Sequence, residues 1–100
     1  MIREIAQIEI DPARADDFEQ AVAGAEPLFW RGGCLEFSLH RSIEKPGRYR
    51  LLVGWESVEA HNVDFRGSPD FQHWRAAVSP FFLSPPEVEH LDQILPRTQG

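Results

Sequence analysis

Residues 50–78, RLLVGWESVEAHNVDFRGSPDFQHWRAAV, carry the clearest element boundaries in the chain, and the fold turns on how they are read. The run begins in a strand spanning Arg48 to Glu56. Successive strand side chains point to opposite sides, so Tyr49, Leu51, Val53 and Trp55 share one face, and Arg50, Leu52, Gly54 and Glu56 the other. Ser57 then caps a short helix on which Val58, His61, Asn62 and Phe65 recur at helical spacing, and Gly67 ends it. Ser68, Pro69 and Asp70 supply the cap, first-turn proline and early acid of a second helix, with Phe71, Trp74, Arg75, Val78 and Phe82 as its inner stripe. His61 and Arg75 therefore interrupt stripes that are otherwise apolar. A buried arginine with no partner is costly, so Arg75 needs an anion, carbonyls or water beside it.

Outward from this stretch, residues 2–10 alternate as a strand with Ile2, Ala6, Ile8 and Ile10 on one face and Arg3, Ile5, Gln7 and Glu9 on the other. Asp11-Pro12 opens a helix whose stripe is Ala15, Phe18, Ala21, Val22 and Ala25; Pro27 ends or kinks it, and Gly32-Gly33 stop it. A second strand runs from Cys34 to Ser42 and turns through Glu44-Lys45-Pro46-Gly47 into the third, as an antiparallel hairpin. After Pro80, Pro85 and Pro86, a last strand is expected over Glu87 to Leu95, and residues 96–100 form a tail. The order β-α-β-β-α(α)-β is the ferredoxin-like α+β arrangement, a single domain over residues 1–95 with an antiparallel sheet and helices on one face. The opposite face, with Ile5, Leu52, Leu91 and Leu95, reads as too apolar for water, which implies a homodimer.

Composition narrows the function. A chain of 100 residues with 42% hydrophobic and 26% charged residues is that of an ordinary globular domain. A net charge of -6 with no basic stripe argues against nucleic acid as a partner. No apolar run reaches the roughly 20 residues a membrane span needs, so no membrane partner is expected. The single Cys34 forms no internal disulfide and the charged N-terminus lacks a secretory core, which makes the cytoplasm the expected compartment. His40, His61, His73, His90 and Cys34 show no close ligand spacing, so no metal is expected. His40, His73 and His90 read as exposed polar positions.

The opening strand ending in Asp11-Pro12, Gly33-Cys34 before the second strand and Trp55-Glu56-Ser57 closing the third, followed by paired helices and a last strand, together resemble the antibiotic biosynthesis monooxygenase family. The resemblance implies a dimeric α+β barrel. Within the family the chain is most similar to the cofactor-independent, quinone-forming oxygenases of aromatic polyketide pathways. Their functional tryptophan and arginine correspond to Trp55 and Arg75, their tyrosine to His61 and their strand asparagine to Leu51. Haem-degrading relatives place an asparagine, a tryptophan and an iron-binding histidine where Gln7, Phe65 and Arg75 stand, and arginine does not ligate haem iron. Histidines that many other members carry correspond to Asp64 and Asp70.

Two function classes follow. In the first, an enzyme binds a phenolic or polyketide-type aromatic molecule between sheet and helices and oxidises it with dioxygen to a quinone, without cofactor. Trp55, His61 and Arg75 are its expected catalytic residues: Arg75 holds the oxyanion, His61 relays a proton and Trp55 floors a pocket lined by Leu51, Asn62, Phe65, Phe71, Trp74 and Val78. In the second, a binding or stress-response dimer uses the same pocket without turnover. Arg75 also has a purely structural reading, paired with Glu59 or Asp70.

Overall fold

A computed structural model describes residues 1–97. It contains β1 (Ile2–Glu9), α1 (Ala15–Arg31), β2 (Glu36–Arg41), β3 (Arg48–Trp55), α2 (Pro69–Val78) and β4 (Glu87–Leu91). Short 3-10 turns at Pro12–Arg14 and Ser79–Phe81 precede α1 and follow α2, and a π-helical segment, Ala60–Phe65, lies between β3 and α2. The four strands form one antiparallel sheet in the order β2-β3-β1-β4, the α+β, ferredoxin-like arrangement expected.

The alternation in β1 and β3 decides where the core lies. Ala6, Ile8 and Ile10 join Tyr49, Leu51, Val53 and Trp55 on the buried face, against Phe18, Val22, Ala25 and Phe29 of α1 and Trp74 and Val78 of α2. Pro27 does not end α1. It sits inside the helix, which continues to Arg31, because proline removes one hydrogen bond while Leu28 and Phe29 on the same stripe gain burial. The helix stops at Gly32, where an added Cβ would collide with the Phe65 ring. Gly47 closes the β2–β3 hairpin at φ +82°, and its carbonyl accepts from Ile10 N at 2.8 Å.

Three expectations need correction. The second strand begins at Glu36 and the last ends at Leu91, leaving Ile94 and Leu95 outside it and strongly exposed. The first short helix is π-helical over Ala60–Phe65, with Arg66 N donating to His61 O. Its wider turn keeps His61 and Phe65 inward and swings Asn62 to solvent, so the four-residue stripe drawn for an α-helix does not form. The helix-free face carries Ile5, Leu52 and Leu91, but charged rungs cross it: Glu9–Arg48, Arg3–Glu36 and Gln7–Arg50 are all hydrogen bonded. It is less apolar than its leucines and isoleucines alone imply. Of the expected tail, residues 98–100 lie outside the described residues.

Two glycines make the backbone argument testable. Gly24 is exposed on α1 with open space at its Cβ position, so Gly24→Ala should stabilise by up to about 1 kcal/mol. Gly47→Ala forces a left-handed φ and a clash with Ile10 O, and should destabilise by about 1–3 kcal/mol. Urea unfolding of the two variants should therefore give midpoint shifts of opposite sign.

Candidate functional site

A cleft of about 570 Å³ opens between the helix-bearing face of the sheet and α2. Its floor is Glu4, Ala6 and Ile8 of β1 with Leu51 of β3. Phe71, Trp74 and Arg75 of α2 form one wall, and Arg66, in the turn before α2, stands with them. The rim is the proline-rich segment Phe82–Pro86, tethered to the sheet by Leu83 N donating to Glu9 O and by the Ile10–Phe82 bridge.

At the polar end of this floor a carboxyl group is buried against three rings. Glu4 shares the inner face with Ile2 and Ala6 and is only 5% exposed. Trp55 Nε1 donates to Glu4 Oε1 at 3.0 Å, and His61 Nε2 lies 3.2 Å from the same oxygen. His61 Nδ1 is hydrogen bonded to His90 Nε2 at 2.8 Å, because the β1–β4 register sets His90 opposite Glu4. The His61 ring stacks on Trp55, centroids 5.3 Å apart and planes 16° from parallel. Phe65, Phe29 and Trp74 continue the aromatic packing behind it.

The structure thus brings Leu51, His61, Phe71, Trp74 and Arg75 to one cleft and does not bring Trp55, Asn62, Phe65 or Val78 into it. Trp55, Phe65 and Val78 are essentially inaccessible core, and Asn62 points outward. Trp55 acts from below, through its N–H and its ring face. Arg75 is exposed at the cleft rather than buried on the stripe, so it needs no compensating acid; α2 is capped by Ser68 as expected, but its inward side is narrower than the drawn stripe. Asp70 pairs with Arg31, and among the described residues neither Arg75 nor Arg66 has an ion-pair partner. Glu4 and Arg66 carry no expectation from the sequence, and His90, expected as an exposed polar position, is instead half-buried and hydrogen bonded to His61. Parity along β1 is the signal that marks Glu4, since it falls between Ile2 and Ala6. His90 has no such signal, because only the strand register places it.

The positions matched to the haem-degrading site do not converge. Gln7 lies on the opposite sheet face, where it accepts from Arg50, while Phe65 is core and Arg75 borders the cleft. Asp64 is exposed. Among the described residues no group of three histidine, cysteine or acidic side chains is placed to hold a metal ion.

Burial sets the electrostatics. Loss of solvation pushes the His61 pKa down to about 4, with the neighbouring His90 and Arg66 adding to the effect. The Glu4 pKa moves up through burial, opposed by the Trp55 hydrogen bond and by Arg66. His61 is therefore a neutral imidazole at pH 7. Below its ordinary pKa of 6.5 the unfolded chain takes up the proton first, so His61 lowers stability as pH falls from 6.5 to about 4. Glu4 acts in the opposite sense, holding its proton more tightly when folded and losing stability as pH rises through its raised pKa. Urea titrations should show His61→Phe shedding a destabilisation of at most about 1.4 kcal/mol per pH unit between those limits. NMR of the imidazole nitrogens should follow the same group, staying neutral to near pH 4.

Comparison with known proteins places this geometry. A sequence profile described as antibiotic biosynthesis monooxygenase matches residues 1–77. An uncharacterized Bacillus subtilis protein, YczJ, is 36% identical over 94% of this chain and 100% of its own length. A crystal structure of an inferred antibiotic biosynthesis monooxygenase from Bordetella bronchiseptica superimposes with a TM-score of 0.91 at 54% identity, covering 94% of this chain and 97% of that one. SnoaB from Streptomyces nogalater, a cofactor-independent oxygenase, shares the fold at a TM-score of 0.77 and 21% identity, with 96% and 97% of the two chains covered. With its profile match, its sequence relatives and its sheet topology in agreement, the chain belongs to the antibiotic biosynthesis monooxygenase family.

Proposed function

We propose that the protein is a cofactor-independent monooxygenase that oxidises an acidic phenolic or polyketide-type aromatic molecule to a quinone. The observation that carries this reading is the charge of the cleft. In a protein of net charge -6, an aromatic-walled cleft presents two guanidinium groups, Arg66 and Arg75, that have no ion-pair partner among the described residues. Flat aromatic surface fits Phe71 and Trp74, and a phenolate or developing oxyanion fits the arginines. The chemistry balances without an external reductant: the ring carbon para to a phenol takes one oxygen atom, the second leaves as water, and all four electrons come from the substrate. SnoaB's description as a cofactor-independent oxygenase is in line with this reading.

Leu51 gives the cleft floor an aliphatic side chain where the similar oxygenases carry an asparagine, an observation that favours the alternative of a binding protein without turnover. An oxygen electrode separates the two. Turnover consumes one dioxygen per phenol with no added flavin, metal or reductant; a binding protein consumes none.

Calorimetry tests the arginine. Arg75→Ala should weaken an acidic phenol by roughly ten- to a hundredfold in Kd, the worth of a charge-assisted hydrogen bond, and its O-methylated analogue far less. Equal losses would make Arg75 a packing residue and remove the main support for the reading.

We also infer a homodimer formed through the helix-free face, supported by Ile5 and Leu52 on its two central strands and by the exposed Leu91 at the end of the edge strand β4. Light scattering should give about twice the 11.4 kDa of one chain, and a stable single-chain mass overturns the inference.

A further inference from the structure

We propose that Glu4 is the group that takes a proton from a ligand in the cleft, held in place by Trp55 and, through His61, by His90. The inference rests on the phenolic reading of the cleft and names the atom that makes the phenolate.

Of the side chains that border the cleft, few can accept a proton. Arg66 and Arg75 are cations with no free lone pair to offer. His61 Nδ1 is hydrogen bonded to His90 Nε2, and its Nε2 lies 3.2 Å from Glu4 Oε1, so with the ring proton on Nε2 the imidazole has no lone pair to offer a ligand. The remaining walls are apolar apart from the Ser84 hydroxyl on the rim. Glu4 is left. Its Oε1 is taken by Trp55 and faces His61, whereas Oε2 has no hydrogen-bond partner among the described residues. No fully buried side-chain nitrogen or oxygen among those residues lacks a partner, so Oε2 retains access, and the open space that Glu4 borders is the cleft.

The surrounding groups fix the carboxylate for this task. With Glu4 ionised, the tautomers that keep two lone pairs from facing each other have His90 Nε2–H donating to His61 Nδ1 and the proton of the neutral His61 on Nε2, towards Glu4 Oε1. Trp55 donates to that oxygen and stacks on the imidazole, so one side chain orients both partners. The charged and titratable groups around Glu4 are then Arg66 and Arg75 from the cleft, His61 from the π-helical segment and His90 from β4. In the step itself the phenol O–H bond breaks, its proton passes to Glu4 Oε2, and the phenolate remains beside the arginines; no electron is transferred. His90 is a positioning residue, since it reaches the ligand only through His61 and Glu4.

A hydroxyanthraquinone, whose phenolate absorbs at longer wavelength than its phenol, is the probe, mixed with the full chain about two pH units below the dye's own pKa. Wild-type protein should hold the dye as phenolate. Glu4→Gln, of the same shape, should bind the O-methylated dye within roughly threefold of wild type yet show at least about tenfold less phenolate. His90→Gln, which keeps a donor, should restore most of what His90→Phe loses. Wild-type phenolate in Glu4→Gln overturns the assignment, and wild-type behaviour in both His90 variants overturns the positioning role. If wild type binds no dye at all, the phenolic reading fails, and the carboxyl carbon of Glu4 decides its own role by NMR. A midpoint above that of free glutamate, moved by His90→Phe and not by His90→Gln, supports the assignment; an ordinary, unmoved midpoint overturns it.

Discussion

A carboxyl group on the inner face of a strand is the constraint around which this site is arranged. Glu4 occupies a position that the alternation of β1 gives to the core, and an ionised carboxylate there loses most of its solvation. The fold answers with the Trp55 N–H, from the β3 residue two positions beyond the register partner Val53 and on the same face, and with His61 closing from the π-helical segment. The π-helical turn bears on the same carboxyl group. It brings the His61 and Phe65 rings inward together, so that one covers Glu4 and the other fills the space beside Phe29.

Stiffness at the site comes from the aromatic packing below it. Trp55, Phe65, Phe29 and Trp74 contact one another at centroid distances of 4.8–6.3 Å, with the tilted and edge-on geometries that aromatic quadrupoles favour. Trp55 has no rotamer freedom in that packing, so its N–H is aimed before any ligand arrives. The cleft above is different in kind. Arginines border its wall, and its rim is a proline-rich segment with few backbone tethers, which suits a surface that meets a ligand. Two arginines, Arg66 and Arg75, border the cleft against the single carboxyl group of Glu4, in a protein whose net charge is -6.

The sequence by itself determined the layer architecture, the antiparallel hairpin, both helix starts and the family, because these rest on local signals: strand parity, the Ser68-Pro69-Asp70 cap, and the Trp55-Glu56-Ser57 junction. The polar break at His61 in an otherwise apolar stripe was also legible, and the structure buries that side chain; Arg75 borders the same cleft but stands exposed rather than on a buried stripe. What only the tertiary structure decided was which groups meet. Glu4 and Trp55 are 51 positions apart and His61 and His90 are 29 apart, so their contacts depend on strand order and register, which no local pattern encodes. The same holds for the roles. Trp55 supports the site from beneath rather than lining it, and Asn62 faces solvent, because a helix with a wider turn than the α-helix rotates side chains away from the stripe that its sequence spacing draws.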